Sequence, residues 1–195
     1  MARLITGLDA ARVRENAERI RSEIGDAELL AAVKYVPLEE LGVLAEAGVT
    51  LLGENRAQDL VAKAEAYPGV FRWHFIGQLQ SRKVKVILPL VELIHSVASD
   101  SALGQLERHG TAETEVLIEV NVAGEDAKAG IAPDALPGFL ERCPVRVVGL
   151  MGMPPFAEDP EASRPHFAVT QAPVSHGRQS HRPYLLTADA NCFTG

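Results

Sequence analysis

Apolar residues in this chain follow two rhythms. Short runs, "LLAAV" (29–33), "TLLGEN" (50–55), "WHFIG" (73–77), "LIHSVAS" (93–99), "EVLIEVNV" (115–122) and "VRVVGLMGM" (145–153), alternate with stretches whose apolar positions recur at three- and four-residue steps. The runs are apolar on both faces and several are rich in β-branched residues. They return about every twenty to thirty residues, the length of one strand plus one helix. Strands buried on both faces suit a parallel sheet covered by helices.

The stretches between the runs predict helices. From about Leu8 to Ile24, Val13, Ala17, Ile20 and Ile24 fall on one face. "PLEELGVLAEAG" opens with Pro37 in its first turn and stops at Gly48. "ENRAQDLVAKAEAY" has helical spacing, and "QSRKVKVILPL" breaks at Pro89. "SDSALGQLERHG" is capped by Ser99 and ends at Gly110. "APDALPGFLERC" is shortened or kinked by Pro137 and Gly138, and "EDPEASRPHFA" begins one more helix.

Strand–helix repeats of this kind build either an open doubly wound sheet or a (β/α) barrel. No GxGxxG follows the first strand, which weighs against a dinucleotide fold. Polar groups gather instead at the C-terminal ends of successive strands: Lys34, Glu54 and Asn55, Gly77 and Gln78, Ser96, Asn121, and then Met151. In a barrel those ends form one rim, where active sites sit. The expected fold is therefore α/β, a (β/α) barrel with about six of eight units. After residue 168 the rhythm stops. Residues 169–195 are rich in Ser, His, Pro, Gln and Thr, and read as an irregular tail.

The 195 residues are enough for one domain with a real core, and 47% hydrophobic with 23% charged is ordinary for a globular protein. The net charge of −7 disfavours nucleic acid and anionic membrane as partners, because no basic excess neutralises phosphates. Cys143 and Cys192 form no CxxC, so neither a metal cluster nor a disulfide framework is expected. A cytoplasmic location is the simple reading. The N-terminus is not a signal peptide, and no stretch is long and apolar enough to span a bilayer.

Lys34 is the leading chemical candidate. An amine at a strand end beside apolar residues is partly desolvated, and desolvation favours the neutral, nucleophilic form that condenses with aldehydes. The plainer alternative is a lysine that ends a strand and reaches water. Glu54 and Asn55 alone read as helix-capping residues. His74 inside its strand reads as a core histidine, and Arg82, Lys83 and Lys85 as a solvated helix face. The loop "NVAGEDAKAG", with Gly124, Lys128 and Gly130, is a lid or simply a loop. Met151 and Met153 read as packing.

Together, "AAVKYVP", "LLGENRAQDL", "WHFIGQLQSRKVK", "LIHSVASDSAL", "VLIEVNVAGEDAKAG" and "GLMGMPPFAEDPEASRPHF" resemble the pyridoxal phosphate homeostasis protein family, built like the N-terminal barrel of alanine racemase. The resemblance covers about residues 8 to 168. It implies pyridoxal 5'-phosphate held as a Schiff base on Lys34, with Asn55 and His74 in the cofactor pocket. Ser96, Asn121 and Met151, at their strand ends, complete the expected cofactor-binding set.

The resemblance further implies a carrier or regulator of vitamin B6 rather than a catalyst. The implied protein is monomeric, with cofactor-accepting apo-enzymes as partners. The alternatives are a racemase-like enzyme dependent on the same cofactor, or a non-functional truncated relative. The chain departs from the family at Arg82, where asparagine is common, and at Gly152, where threonine is usual. Two later turns of the family, "SMGMS"-like and "RxGxxIFG"-like, resemble a barrel phosphate site and do not occur here. A six-strand barrel is expected to leave its first and sixth strands as open edges, to hold the cofactor weakly and to aggregate.

Overall fold

The computed structural model describes residues 4–122, 129–153, 155, 161 and 165–166, together with the backbone of 186–189. The chain forms two compact units, the first built on residues 1–76, 90–92 and 182–195, and the second on 77–89 and 93–181.

In the first unit, α1 (Ala10–Glu23) precedes β1 (Leu29–Ala32), α2 (Leu41–Glu46), β2 (Leu51–Glu54), α3 (Ala57–Ala66) and β3 (Arg72–Phe75). The amphipathic reading of α1 holds: Val13, Ala17 and Ile20 are buried, and Asp9 caps the helix by accepting from the Arg12 N–H at 2.9 Å. A 3-10 turn at Leu38–Glu40 runs into α2, and Gly48 ends that helix segment with φ +76. β1 and β2 are buried along their whole length. Helix α1 packs on β1 and α2, while α3 covers β2 and β3. Burial along their whole length is why β1 and β2 carry apolar side chains on both faces.

β1, β2 and β3 pair in parallel, with Ala32 opposite Gly53 and Gly53 opposite His74. The ladder continues past the strand ends, the Val33 N–H donating to the Gly53 carbonyl and the Ile76 N–H to the Glu54 carbonyl, each at 2.9 Å.

One expectation is corrected here. β1 is not an open edge, because β7 (Leu186–Asp189) lies parallel to it, with Leu29 opposite Leu186 and Ala32 opposite Asp189. Backbone pairing needs no apolar run in the partner, so "LTAD" gave no strand signal in a polar tail.

The second unit holds α4 (Val84–Ile87), β4 (Leu93–Val97), α5 (Asp100–His109), β5 (Glu115–Val120), α6 (Leu136–Glu141) and β6 (Arg146–Gly152). Its strands are parallel in the order β6-β5-β4. Ser99 caps α5 through the Ala102 N–H, and α4 packs against α5. Pro137 sits in the first turn of a six-residue α6, the short outcome of the two expected. Of the expected helix at "EDPEASRPHFA", Pro165 and His166 are helical and most of the rest falls outside the described residues, as do the loop residues Gly124 and Lys128. No helix among the described residues is long and apolar enough to cross a membrane.

Candidate functional site

The register of the first unit sorts its polar residues onto two faces. Paired residues of a parallel sheet share a face, and neighbours along a strand alternate. Ala32, Gly53 and His74 therefore share one face, and Lys34 and Asn55 follow two residues after Ala32 and Gly53, just past the ends of their strands. Three expected site residues, Lys34, Asn55 and His74, are thus brought together at the C-terminal ends of adjacent strands.

The floor of this face is tight. A Cβ on Gly53 would lie 2.5 Å from Leu30 Cδ2 and 3.0 Å from Ile76 Cδ1, so any larger residue would push the ends of these two side chains aside.

Lys34 is half-buried, in a turn where the Val36 N–H donates to the Val33 carbonyl at 3.0 Å. The Tyr35 carbonyl accepts from the Ile5 N–H at 2.9 Å, so the backbone on both sides of Lys34 is held. The Lys34 amine stands 5.1 Å from the centroid of the Tyr35 ring. Asn55 is half-buried, yet its side-chain Oδ1 is shut away from solvent and accepts no hydrogen bond among the described residues. A buried acceptor with no donor is uncommon in a folded protein, so this oxygen calls for a donor beyond the described residues. His74 is buried, with Nε2 at 4.0 Å from Glu92 Oε2. Glu92 also grips Arg72, whose guanidinium is pushed up by its bonds to Glu92 and Glu28.

The opposite face holds two residues that sequence reasoning did not place in the site. Glu54 is fully buried, and its Oε2 lies 2.6 Å from the amine of Lys63 on α3. The same amine donates to the Val33 carbonyl at 2.7 Å. Glu54 Oε1 accepts from the backbone N–H groups of Asn55, at 2.7 Å, and of Arg56, at 3.3 Å. The capping reading of Glu54 and Asn55 is corrected: Arg56 is the N-cap of α3 and no side chain caps it, while the Glu54 carboxylate serves the preceding turn and an ion pair at once.

The other three expected residues, Ser96, Asn121 and Met151, stand on the second unit. Val97 pairs with Ile118, Ser96 lies in the stretch between Ile94 and Val97 where the register shifts, and Glu119 pairs with Met151. The Ser96 hydroxyl is buried and donates to the Gly77 carbonyl. Asn121 is half-buried, its N–H donating to the Ile131 carbonyl at 3.0 Å. Gly130, at φ +116, lies so close to it that a Cβ would meet Asn121 N at 2.5 Å. Met151 is half-buried and Met153 exposed. Sequence reasoning also passed over Glu119, a buried acid whose carboxyl is pushed up by burial.

Parallel strands covered by helices, with an amine and an amide at the strand ends, make this an α/β domain. The model of the alanine racemase N-terminal domain family matches residues 8–188. Pyridoxal phosphate homeostasis proteins are among the relatives. That of Aquifex aeolicus is 38% identical over 164 residues, 80% of this chain and 72% of the relative. That of Pseudomonas aeruginosa is 35% identical over 158 residues, 76% of this chain and 69% of the relative. The chain belongs to the pyridoxal phosphate homeostasis protein family.

Among solved structures, PipY of Synechococcus elongatus with PLP (pyridoxal phosphate) bound is similar at a TM-score of 0.70 and 26% identity, covering 82% of this chain and 78% of PipY. The alanine racemase of Corynebacterium glutamicum, at 13% identity and a TM-score of 0.65, covers 87% of this chain and 50% of the racemase, and shows the fold alone.

Proposed function

We propose that the chain binds pyridoxal 5'-phosphate through Lys34, Asn55 and His74 of the first unit, and serves cofactor homeostasis as a carrier rather than as a catalyst. The observation that carries this reading is the pairing of an amine, held by fixed backbone on either side, with the buried Asn55 Oδ1 that has no donor among the described residues. The residues present fit the group. Bound there, the cofactor supplies an aldehyde that a neutral amine can attack and polar ring substituents that can satisfy a buried acceptor.

In this reading Lys34 anchors the cofactor, and Asn55 accepts a hydrogen bond and orients the ring. His74, within β3, limits how deep the ring can go. The homeostasis names of the relatives and the PLP-bound PipY structure support the ligand. The likeness to PLP-dependent racemases is one of fold and does not by itself bring turnover. Because no string resembling the family's phosphate turns occurs in the sequence, the proposed affinity rests mainly on the amine and its neighbours.

The test is an equilibrium titration of the purified chain with pyridoxal phosphate, read by absorbance, alongside an alanine racemisation assay on the loaded protein. Saturable one-to-one binding with no racemisation is expected. Absence of saturable binding would overturn the ligand, and racemisation at enzyme-like rates would overturn the carrier role.

A further inference from the structure

We propose that the buried Glu54–Lys63 pair is a positioning clamp that sets where Lys34 and Asn55 leave their strands, an inference that rests on the reading of Lys34 as the cofactor's amine. Glu54 lies on the face opposite Gly53 and His74, with the Lys63 amine beside it. The pair acts through backbone. The Lys63 amine holds the Val33 carbonyl at 2.7 Å, one peptide before Lys34. The Glu54 carboxylate holds the Asn55 N–H at 2.7 Å. The 2.6 Å ion pair joins these two contacts into one rigid link between the ends of β1 and β2.

Stability alone does not call for this arrangement. Removing two charges from water is costly, and well-packed apolar residues in place of a buried pair are often neutral or stabilising. What an apolar pair cannot do is grip a carbonyl on one strand and an amide on the next. That grip fixes the spacing of an amine and an amide oxygen, and misplacement of about 1 Å is enough to weaken reactive geometry strongly.

The experiment compares wild type with Lys63→Met, with the charge-free double variant Glu54→Gln/Lys63→Met, and with Lys63→Arg, which keeps the charge but moves the donors. All are measured well below their unfolding temperatures. Two readouts respond to position rather than to stability. One is acetylation of Lys34 in the cofactor-free protein, relative to the exposed Lys85 as internal standard. The other is induced circular dichroism per mole of bound pyridoxal phosphate.

The clamp predicts that the relative reactivity of Lys34 changes by about threefold or more, and that the dichroism per bound cofactor falls by about half, in every variant that folds. Where Lys63→Met does not fold, the double variant and Lys63→Arg carry the test. Unchanged reactivity and dichroism, with only the melting temperature lowered, would overturn the clamp and leave an ordinary structural pair. If wild type shows no saturable cofactor signal while the Lys34 reactivity still shifts in the variants, the clamp stands and the cofactor reading falls.

Discussion

Two buried glutamates stand near the C-terminal ends of strands, one in each unit, and they have opposite surroundings. Glu54 of β2 is fully buried and served on both oxygens, by Lys63 on one side and by the backbone of Asn55 and Arg56 on the other. Glu119 of β5 is buried with no ion pair or side-chain hydrogen bond found among the described residues, and burial alone pushes its carboxyl up. The same residue type thus plays two parts. With a partner, a buried acid becomes a structural bolt. Without one, it becomes a group whose protonation couples folding to pH.

Breaking the bolt has the largest expected effect. Lys63→Met strands a buried carboxylate, and stability measured by urea denaturation falls by about 3–5 kcal/mol. The double variant Glu54→Gln/Lys63→Met recovers most of that loss, because no charge is left to desolvate. A double variant as unstable as the single one would show that packing around α3, not charge, holds the two strand ends.

A smaller loss is expected on the opposite face. Gly53→Ala pushes a methyl into Leu30 and Ile76, and overpacking of this kind costs about 1–3 kcal/mol. A neutral result in the same denaturation assay would mean that the face is loose enough to admit side chains, contrary to the tight floor beneath Lys34.

Asn55→Leu separates binding from folding. Asn55 Oδ1 has no partner among the described residues to lose, so stability of the cofactor-free protein is expected to shift by less than about 1 kcal/mol. Retention of pyridoxal phosphate in equilibrium dialysis falls nonetheless. Unaltered retention would remove Asn55 from the site.

The smallest effect belongs to Glu119, and its sign follows from linkage. Its folded pKa lies above the ordinary carboxylate value. The folded state therefore keeps a proton that the unfolded chain has lost, and stability from this group falls as pH rises from the ordinary carboxylate range through the raised value. Glu119→Gln is expected to stabilise at neutral pH, with the gain vanishing below the carboxylate range. A difference between wild type and variant that does not change with pH would contradict the assignment.

Much of this was legible in the sequence, for physical reasons that can be named. β1 to β5 announced themselves because they are buried along nearly their whole length, which forces continuous apolar runs such as "LLAAV", while the half-buried β6 still carries the apolar run "VVGLM". Ser99 was readable as a cap because hydroxyls satisfy first-turn amides, and Lys34 as a candidate because its amine follows a buried strand at the C-terminal rim, where barrel sites form. Lys63 was missed because a lysine in "LVAKAEA" looks solvated. The signal was present: Lys63 falls on the same three-residue stripe as the buried Ala57 and Leu60, facing an acid inside an apolar strand. β7 had no such signal, since a strand held by backbone pairing needs no pattern of its own.

The most direct test is to load the purified chain with pyridoxal phosphate, reduce it with borohydride, digest it, and weigh the lysine-containing peptides. The account predicts that the label concentrates on the peptide bearing Lys34. Label spread evenly over exposed lysines such as Lys85, or absent altogether, would contradict it.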